Sequence, residues 1–305
     1  MFFSSDTRVL VQGITNALGS VYTPLMLSYG TSVLAGVASG DGGQDVASIP
    51  VFDMVEQALA AVGEVDASVI FVEPYDVLDA SLEAIAAGIR QLILVTEGVP
   101  PLDMVRLLRK AEATDTLVVG PNCPGVIVPG QVLLGTHPAE FYAPGSVGVI
   151  SRSSTLTYEV ALQLTKAGIG QSIVVGIGSD RIMGSTFQQW LQILDEDDRT
   201  EAIVLVGEIG GDSEEVAARY IAEAIDKPVI AYLAGRSAPK GQVMGHAGAI
   251  IASQLGDWGD DIGTMESKLA SFKAAEIPVG DRPSDLPKLV KRALKSAKNR
   301  TNDDE

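Results

Sequence analysis

Short runs of β-branched and aliphatic residues alternate along this chain with glycine-rich corners and with stretches whose apolar residues recur at helical spacing. In the first half the runs are Val9-Leu10-Val11, Val33-Leu34-Ala35, Val69-Ile70-Phe71-Val72, Leu92-Ile93-Leu94-Val95 and Leu117-Val118-Val119. Leu82-Glu83-Ala84-Ile85 and Met104-Val105-Arg106-Leu107 fall inside helical stretches between them. Continuous rather than alternating apolar runs predict strands covered on both faces, and their alternation with helices predicts a parallel sheet. The first half therefore reads as a Rossmann-like α/β domain.

The pattern breaks around Pro129, Gly130, Pro138, Pro144 and Gly145. A second series then opens with Val147-Gly148-Val149-Ile150 and continues with Ile173-Val174-Val175, Ile203-Val204-Leu205-Val206 and Val229-Ile230-Ala231. The expected organisation is one domain over residues 1–128, a linker over 129–145 and a second α/β domain over 146–284. Residues 285–305 close the chain as a helix over 285–297 and a polar tail that is expected to fray. No motif repeats at a fixed offset between the halves.

Composition narrows the partners. With 305 residues, 46% of them hydrophobic, the chain can bury two ordinary cores. Its formal net charge of −17 repels a phosphate backbone and gives no attraction to anionic lipid, so neither nucleic acid nor a membrane surface is an expected partner. An anionic ligand must then be held by a local device such as a helix N-terminus. One cysteine, Cys123, cannot close an internal disulfide, and no Cys/His cluster has metal-ligand spacing. Neither an export signal nor a run of roughly 18 apolar residues is present, and the cytoplasm is the expected compartment.

In parallel sheets ligands meet the loops at the C-terminal ends of the strands. The first such loop, Gln12-Gly13-Ile14-Thr15-Asn16-Ala17-Leu18-Gly19, leads from strand to helix, and reads either as a phosphate-binding turn or simply as a tight corner. Thr96-Glu97-Gly98-Val99-Pro100 and Gly120-Pro121-Asn122-Cys123-Pro124-Gly125 close the fourth and fifth strands on the same edge. Cys123 is expected to be a small residue of the pocket wall and not a nucleophile.

The second half carries the candidate chemistry. Gly245-His246-Ala247-Gly248-Ala249-Ile250 sets one of two histidines among residues too small to pack around it. Ser151-Arg152-Ser153-Ser154-Thr155-Leu156-Thr157-Tyr158-Glu159 follows a strand with a hydroxyl-rich helix start, whose N–H groups and positive dipole end suit a phosphoryl group. Glu208 ends another strand. A carboxylate beside an imidazole fixes its tautomer and leaves the other nitrogen free as a nucleophile, so His246 is the expected acceptor of a phosphoryl group and Glu208 its partner. His137, in the expected linker, has no comparable setting and reads as structural.

These motifs, together with Gly207-Glu208-Ile209-Gly210-Gly211, Ala238-Pro239-Lys240-Gly241 and Met244-Gly245-His246, resemble the alpha subunits of succinate–CoA ligases (succinyl-CoA synthetases) in order and register over nearly the whole chain. The resemblance implies a Rossmann-like CoA-binding domain followed by a flavodoxin-like ligase domain, and a reversible, nucleotide-dependent joining of succinate to coenzyme A through succinyl phosphate and phosphohistidine. It also implies roles: His246 phosphorylated, Glu208 orienting it, Ser153, Ser154 and Thr155 at the phosphate, and Tyr158 bordering the carboxylate substrate. Coenzyme A is expected at Gly13, Thr15, Asn16, Ala17, Leu18, Asp41, Val95, Thr96, Glu97, Asn122, Cys123 and Pro124. ATP or GTP with Mg²⁺ would bind an ATP-grasp beta subunit, without which this chain should not turn over.

The chain departs from the family pattern at several places. Asn16 stands for a glycine, where its tolerance of left-handed backbone would preserve the turn. Leu18 stands for a polar residue, Ser154 for a glycine, and Asp41 for a lysine that contacts coenzyme A. The stretch from Leu255 to Ile262 is longer and more acidic than the family's connection. A relative that uses another carboxylate, such as citrate, and a binding protein that has lost coenzyme A are the alternative expectations.

Overall fold

The computed structural model describes residues 3–237 and 263–303. The chain divides into two compact units, residues 1–139 with 182–185, and residues 140–181 with 186–305.

In the first unit each apolar run becomes a strand, and helices follow. The elements are β1 (Arg8–Gln12), α1 (Ala17–Tyr29), β2 (Ser32–Val37), β3 (Asp45–Val46), β4 (Ile49–Phe52), α2 (Val55–Val62), β5 (Ala67–Ile70), α3 (Val77–Ala86), β6 (Gln91–Leu94), α4 (Pro101–Ala113) and β7 (Leu117–Val119). They build one sheet in the order β3-β4-β2-β1-β5-β6-β7, parallel except for the β3–β4 pair. Successive residues of β5 are all buried, which requires cover on both faces, as the unbroken apolar runs predict. Leu10, Ile70, Leu92 and Leu94 pack with Met104 and Leu107 of α4 and Ile85 of α3. Full burial of each such side chain contributes roughly 1.5–3 kcal/mol.

The corner after β1 is tight for a visible reason. A Cβ on Gly19, in the first turn of α1, would stand 2.1 Å from the Gly13 carbonyl oxygen, so the helix can start this close to the strand only with glycine there. Gly19→Ala is expected to lower stability by about 1–3 kcal/mol, the cost of forcing atoms into a packed site. An unchanged urea midpoint in this variant would show that the helix start slides away freely.

Where the pattern breaks, the structure has an antiparallel hairpin, β8 (Gly125–Val128) with β9 (Val132–Gly135), and all eight strand residues are buried. Thr31 fastens β9 from the end of α1, donating to the Leu133 carbonyl at 2.8 Å and accepting the Leu133 N–H at 3.0 Å.

The second unit comprises β10 (Pro144–Ser151), α5 (Ser154–Lys166), β11 (Gln171–Gly176), α6 (Phe187–Asp195), β12 (Ala202–Glu208), α7 (Ser213–Ala224), β13 (Val229–Ala234), α8 (Met265–Ala274), β14 (Val279–Gly280) and α9 (Leu286–Asp303). Its parallel strands follow the order β14-β13-β12-β10-β11. Helix α6 illustrates the local logic. Thr186 and Gln189 form a capping box at its start, and Phe187, Trp190, Leu191 and Leu194, at helical spacing, are fully buried. Helix α9 runs on to Asp303, six residues beyond the expected end and into the tail expected to fray. Polarity alone was a poor guide there, because no glycine or proline follows Pro287 and Lys, Arg and Ala all favour helix.

Strand β1 lies between β2 and β5, and β10 between β12 and β11, so each sheet has its reversal of strand order beside its first strand, where parallel sheets place ligands. Among the described residues no helix is long and apolar enough to cross a membrane.

Candidate active site

The first unit gathers its expected ligand residues along one sheet edge and stitches their loops together. Asn16 Nδ2 donates to the Phe71 carbonyl after β5 at 3.2 Å, Thr96 Oγ1 after β6 donates to Val72 O at 2.7 Å, and the Asn122 N–H after β7 donates to Thr96 O at 2.9 Å. Gly13 stands at φ +74°, its N–H bonded to Val37 O. Ala17 and Leu18, in the first turn of α1, are exposed, as is Glu97; Thr15 and Val95 are half-buried, and Pro124 is buried. Cys123 is buried and its Sγ donates to the Leu94 carbonyl at 3.3 Å, consistent with a wall residue. The expected role of Asn16 needs a correction: its φ of −65° and ψ of 160° are ordinary extended backbone, so what it supplies is the bond to Phe71 and not tolerance of a left-handed turn.

Asp41 lies after β2, its carboxylate accepting from Gln44 Nε2 at 3.1 Å. On either side of it the Gly40 and Gly42 N–H groups donate to Asp53 Oδ1 at 2.8 and 3.0 Å. This corner presents carboxylates.

In the second unit the neighbouring strands β10 and β12 bring Ser153 and Glu208 to one edge, with Ser151 in register with Val206 and the Arg152 N–H bonded to Val206 O. Ser153 is the N-cap of α5, its Oγ accepting from the Leu156 N–H, and Thr157 Oγ1 donates back to the Ser153 carbonyl. The first turn of α5 thus offers Ser154, half-buried, and Thr155, exposed; Tyr158 lies one turn on from Ser154 along the same helix.

Behind Glu208 lies a buried set of charges. Arg152 Nη1 reaches both oxygens of Glu214 at 2.9 and 3.2 Å and the Gly210 carbonyl at 3.2 Å, while Nη2 lies 3.7 Å from Glu208 Oε1. Lys268 of α8 donates to Glu214, to Glu215 at 2.9 Å and to Gly211 O at 2.8 Å. Glu214 can lie against β12 because residue 207 is glycine: a Cβ there would meet Glu214 Cγ at 2.5 Å. Burial works against both charges, yet Arg152 and Lys268 together hold the Glu214 carboxyl below its ordinary range, and Glu214 with Glu208 holds the Arg152 guanidinium above its own. Sequence reasoning assigned nothing to Glu214, Glu215 or Lys268. Acids in a first turn and a lysine on a polar helix read as solvated, and 54 residues separate Glu214 from Lys268.

His246 lies outside the described residues, as do Ala238-Pro239-Lys240-Gly241 and the stretch from Leu255 to Ile262. The other histidine, His137, is fully buried, and burial pushes its pKa down to about 4 despite a hydrogen bond with the Gly125 backbone. It is a neutral core residue at pH 7, in keeping with its structural reading.

Two family models match the chain, one for a CoA binding domain over residues 4–98 and one for CoA-ligase over residues 150–268. The succinate–CoA ligase (ADP-forming) subunit alpha 2 of Archaeoglobus fulgidus is 46% identical over 288 residues, 94% of this chain and 97% of that protein. The chain belongs to the succinate–CoA ligase alpha-subunit family. The corresponding alpha subunit of Staphylococcus aureus is 42% identical over 297 residues, 97% of this chain and 96% of that one. Among solved structures, ATP citrate lyase from Methanothrix soehngenii, in complex with citrate and coenzyme A, superposes with a TM-score of 0.85 at 22% identity, covering 99% of this chain and 52% of that one. At that identity the likeness speaks for the fold. Within the succinate–CoA ligase family match, the CoA-binding model spans the loops after β1, β2, β5 and β6, and the CoA-ligase model spans Arg152, Glu208, Glu214 and Lys268.

Proposed function

We propose that this chain is the alpha subunit of an ADP-forming succinate–CoA ligase, working in the cytoplasm with an ATP-grasp beta subunit that binds ATP and Mg²⁺. The observation that carries the reading is the meeting of Glu208 with the capped start of α5 on adjacent strands, in a chain nearly half identical to such subunits. An imidazole nitrogen of His246 attacks the γ-phosphorus and ADP leaves. A succinate carboxylate then takes the phosphoryl group, freeing the imidazole and giving succinyl phosphate. The sulfur of coenzyme A attacks the acyl carbon, phosphate departs, and the thiol proton goes with it.

Within that sequence Glu208 accepts the N–H of the imidazole and fixes its tautomer. The N–H groups and dipole of the first turn of α5, with Ser153, Ser154 and Thr155 around them, offset the phosphoryl charge in a chain whose overall field repels anions. Tyr158 borders the succinate. The stitched edge of the first unit, from Gly13 and Asn16 to Thr96 and Asn122, receives coenzyme A.

One observation favours a second reading, a subunit that has lost coenzyme A: Asp41 and Asp53 fill the corner after β2 with carboxylates and occupy its amides. Intact mass of the subunit, in complex with its beta chain and given ATP and Mg²⁺, separates the readings. The expected result is one acid-labile phosphate that passes to succinate and is released as inorganic phosphate, with formation of succinyl-CoA, when coenzyme A is added as well. Phosphate that succinate leaves in place would mean another carboxylate substrate, and a complex that does not bind coenzyme A at millimolar concentration would favour the second reading. No phosphate with a verified partner would end the first.

A further inference from the structure

Among the described residues, Arg152, Glu208, Glu214, Glu215 and Lys268 form a buried set of two cations and three carboxylates. Their contacts are unequal. Glu214 has both cations, and Glu215 has Lys268, the Gly263 N–H at 3.0 Å and Ser267 Oγ at 3.1 Å. Glu208, at the strand end, has Arg152 Nη2 at 3.7 Å, an ion-pair distance, while its own backbone N–H donates to Glu214 Oε1 at 3.1 Å. Arg152, in the turn after β10, is the member that reaches both Glu214 of α7 and Glu208 at the end of β12.

We propose that Arg152 is the positioning residue of this site: clamped by Glu214, it holds the Glu208 carboxylate in place at the sheet edge. The inference rests on the reading of Glu208 given above. Glu208 is 7% exposed, and in so buried a place the nearby guanidinium sets where its carboxylate oxygens lie and so which way they can orient an imidazole. The rigid plane of arginine suits the task, since Nη1, held by both Glu214 oxygens and the Gly210 carbonyl, anchors one arm of the guanidinium while the other, Nη2, lies toward Glu208. Lysine supplies charge without that plane. The same set reaches Gly263, whose carbonyl accepts the Gly210 N–H at 2.8 Å, so the turn after Glu208 and the start of α8 are tied into it as well.

The test is a mutant cycle read as the single-turnover rate of phosphorylation of the alpha–beta complex by ATP and Mg²⁺. Glu208→Gln is expected to slow uptake by about 100-fold or more, as for a mis-set orienting group. Arg152→Met should slow it by about 10–100-fold, Arg152→Lys should recover part of that loss, and the double variant R152M/E208Q should be no slower than E208Q alone. Should Arg152→Met fail to fold, R152M/E214Q removes one charge of each sign, and the triple variant with E208Q gives the same comparison. If Arg152 is merely structural, its loss will slow the E208Q enzyme by the same factor as the wild type, and the proposal is overturned; a wild-type rate in Arg152→Met overturns it too. A wild-type complex that takes up no phosphate would overturn the reaction itself, which is a different result from an additive cycle.

Discussion

His246→Ala is expected to leave a subunit that takes up no phosphoryl group, while circular dichroism still reports a folded chain. The chain has two histidines, and the imidazole of His137 is buried in the first unit, out of reach of a phosphoryl donor. The remaining imidazole sits in the Gly245-His246-Ala247-Gly248 motif, and its proposed orienting acid, Glu208, ends β12 beside the capped start of α5. Deleting a nucleophile removes the covalent route and not a fraction of it, so the overall rate should fall by on the order of 10⁴-fold or more, below detection in an intact-mass assay. His137→Gln should keep its phosphate, provided it folds. Acid-labile phosphate on the alanine variant would move the chemistry to another residue.

Lys268→Met is expected to have the largest effect on stability. Its ammonium group is fully buried and donates to Glu214, Glu215 and the Gly211 carbonyl, so methionine would fill the space while leaving two adjacent buried carboxylates with Arg152 as their shared cation. Breaking such a buried pair costs about 3–5 kcal/mol, which corresponds to a fall of on the order of 10 °C in the thermal midpoint. Because the pair is out of reach of counterions, the loss should persist in 1 M salt, unlike that of an exposed pair. The pH dependence has a sign as well. A carboxyl held below its usual value in the fold, as Glu214 is, contributes stability that is present above about pH 4.5 and lost as the pH falls through the folded value. With one of its two cations gone, Glu214 protonates earlier, and acid unfolding of the variant should begin at higher pH. A midpoint within about 2 °C of wild type would mean that the network is held by Arg152 alone.

Much of this architecture was legible in the chain. The runs at Val9, Val33, Val69, Leu92 and Leu117 became five of the seven strands of the first sheet, because a strand covered on both faces is mostly apolar along its length. The hairpin of β8 and β9 was not, although Val126-Ile127-Val128 and Val132-Leu133-Leu134 are as apolar as any strand; the prolines and glycines around them looked like a linker, and only the Thr31 clasp and full burial reveal them as core. The strands read before Ser153 and up to Glu208 are parallel neighbours in the sheet, which brings the two residues to one edge. Motif reading was silent on Lys268 because charge pairing across 54 residues has no local signature: the partner is chosen by the fold. Asn16 was noticed for a reason that did not apply, and earns its place through a bond to a loop 55 residues away.

That bond belongs to the row linking the loops after β1, β5, β6 and β7, and the row changes the thermodynamics of whatever lands there. Free loops must be frozen by the ligand, at roughly 0.5–1.5 kcal/mol for each side chain immobilised. Here Asn16, Thr96 and the Asn122 backbone are restrained before any encounter, so adhesion to this edge does not have to be diverted into ordering it, and the unliganded and liganded backbones should be nearly superimposable.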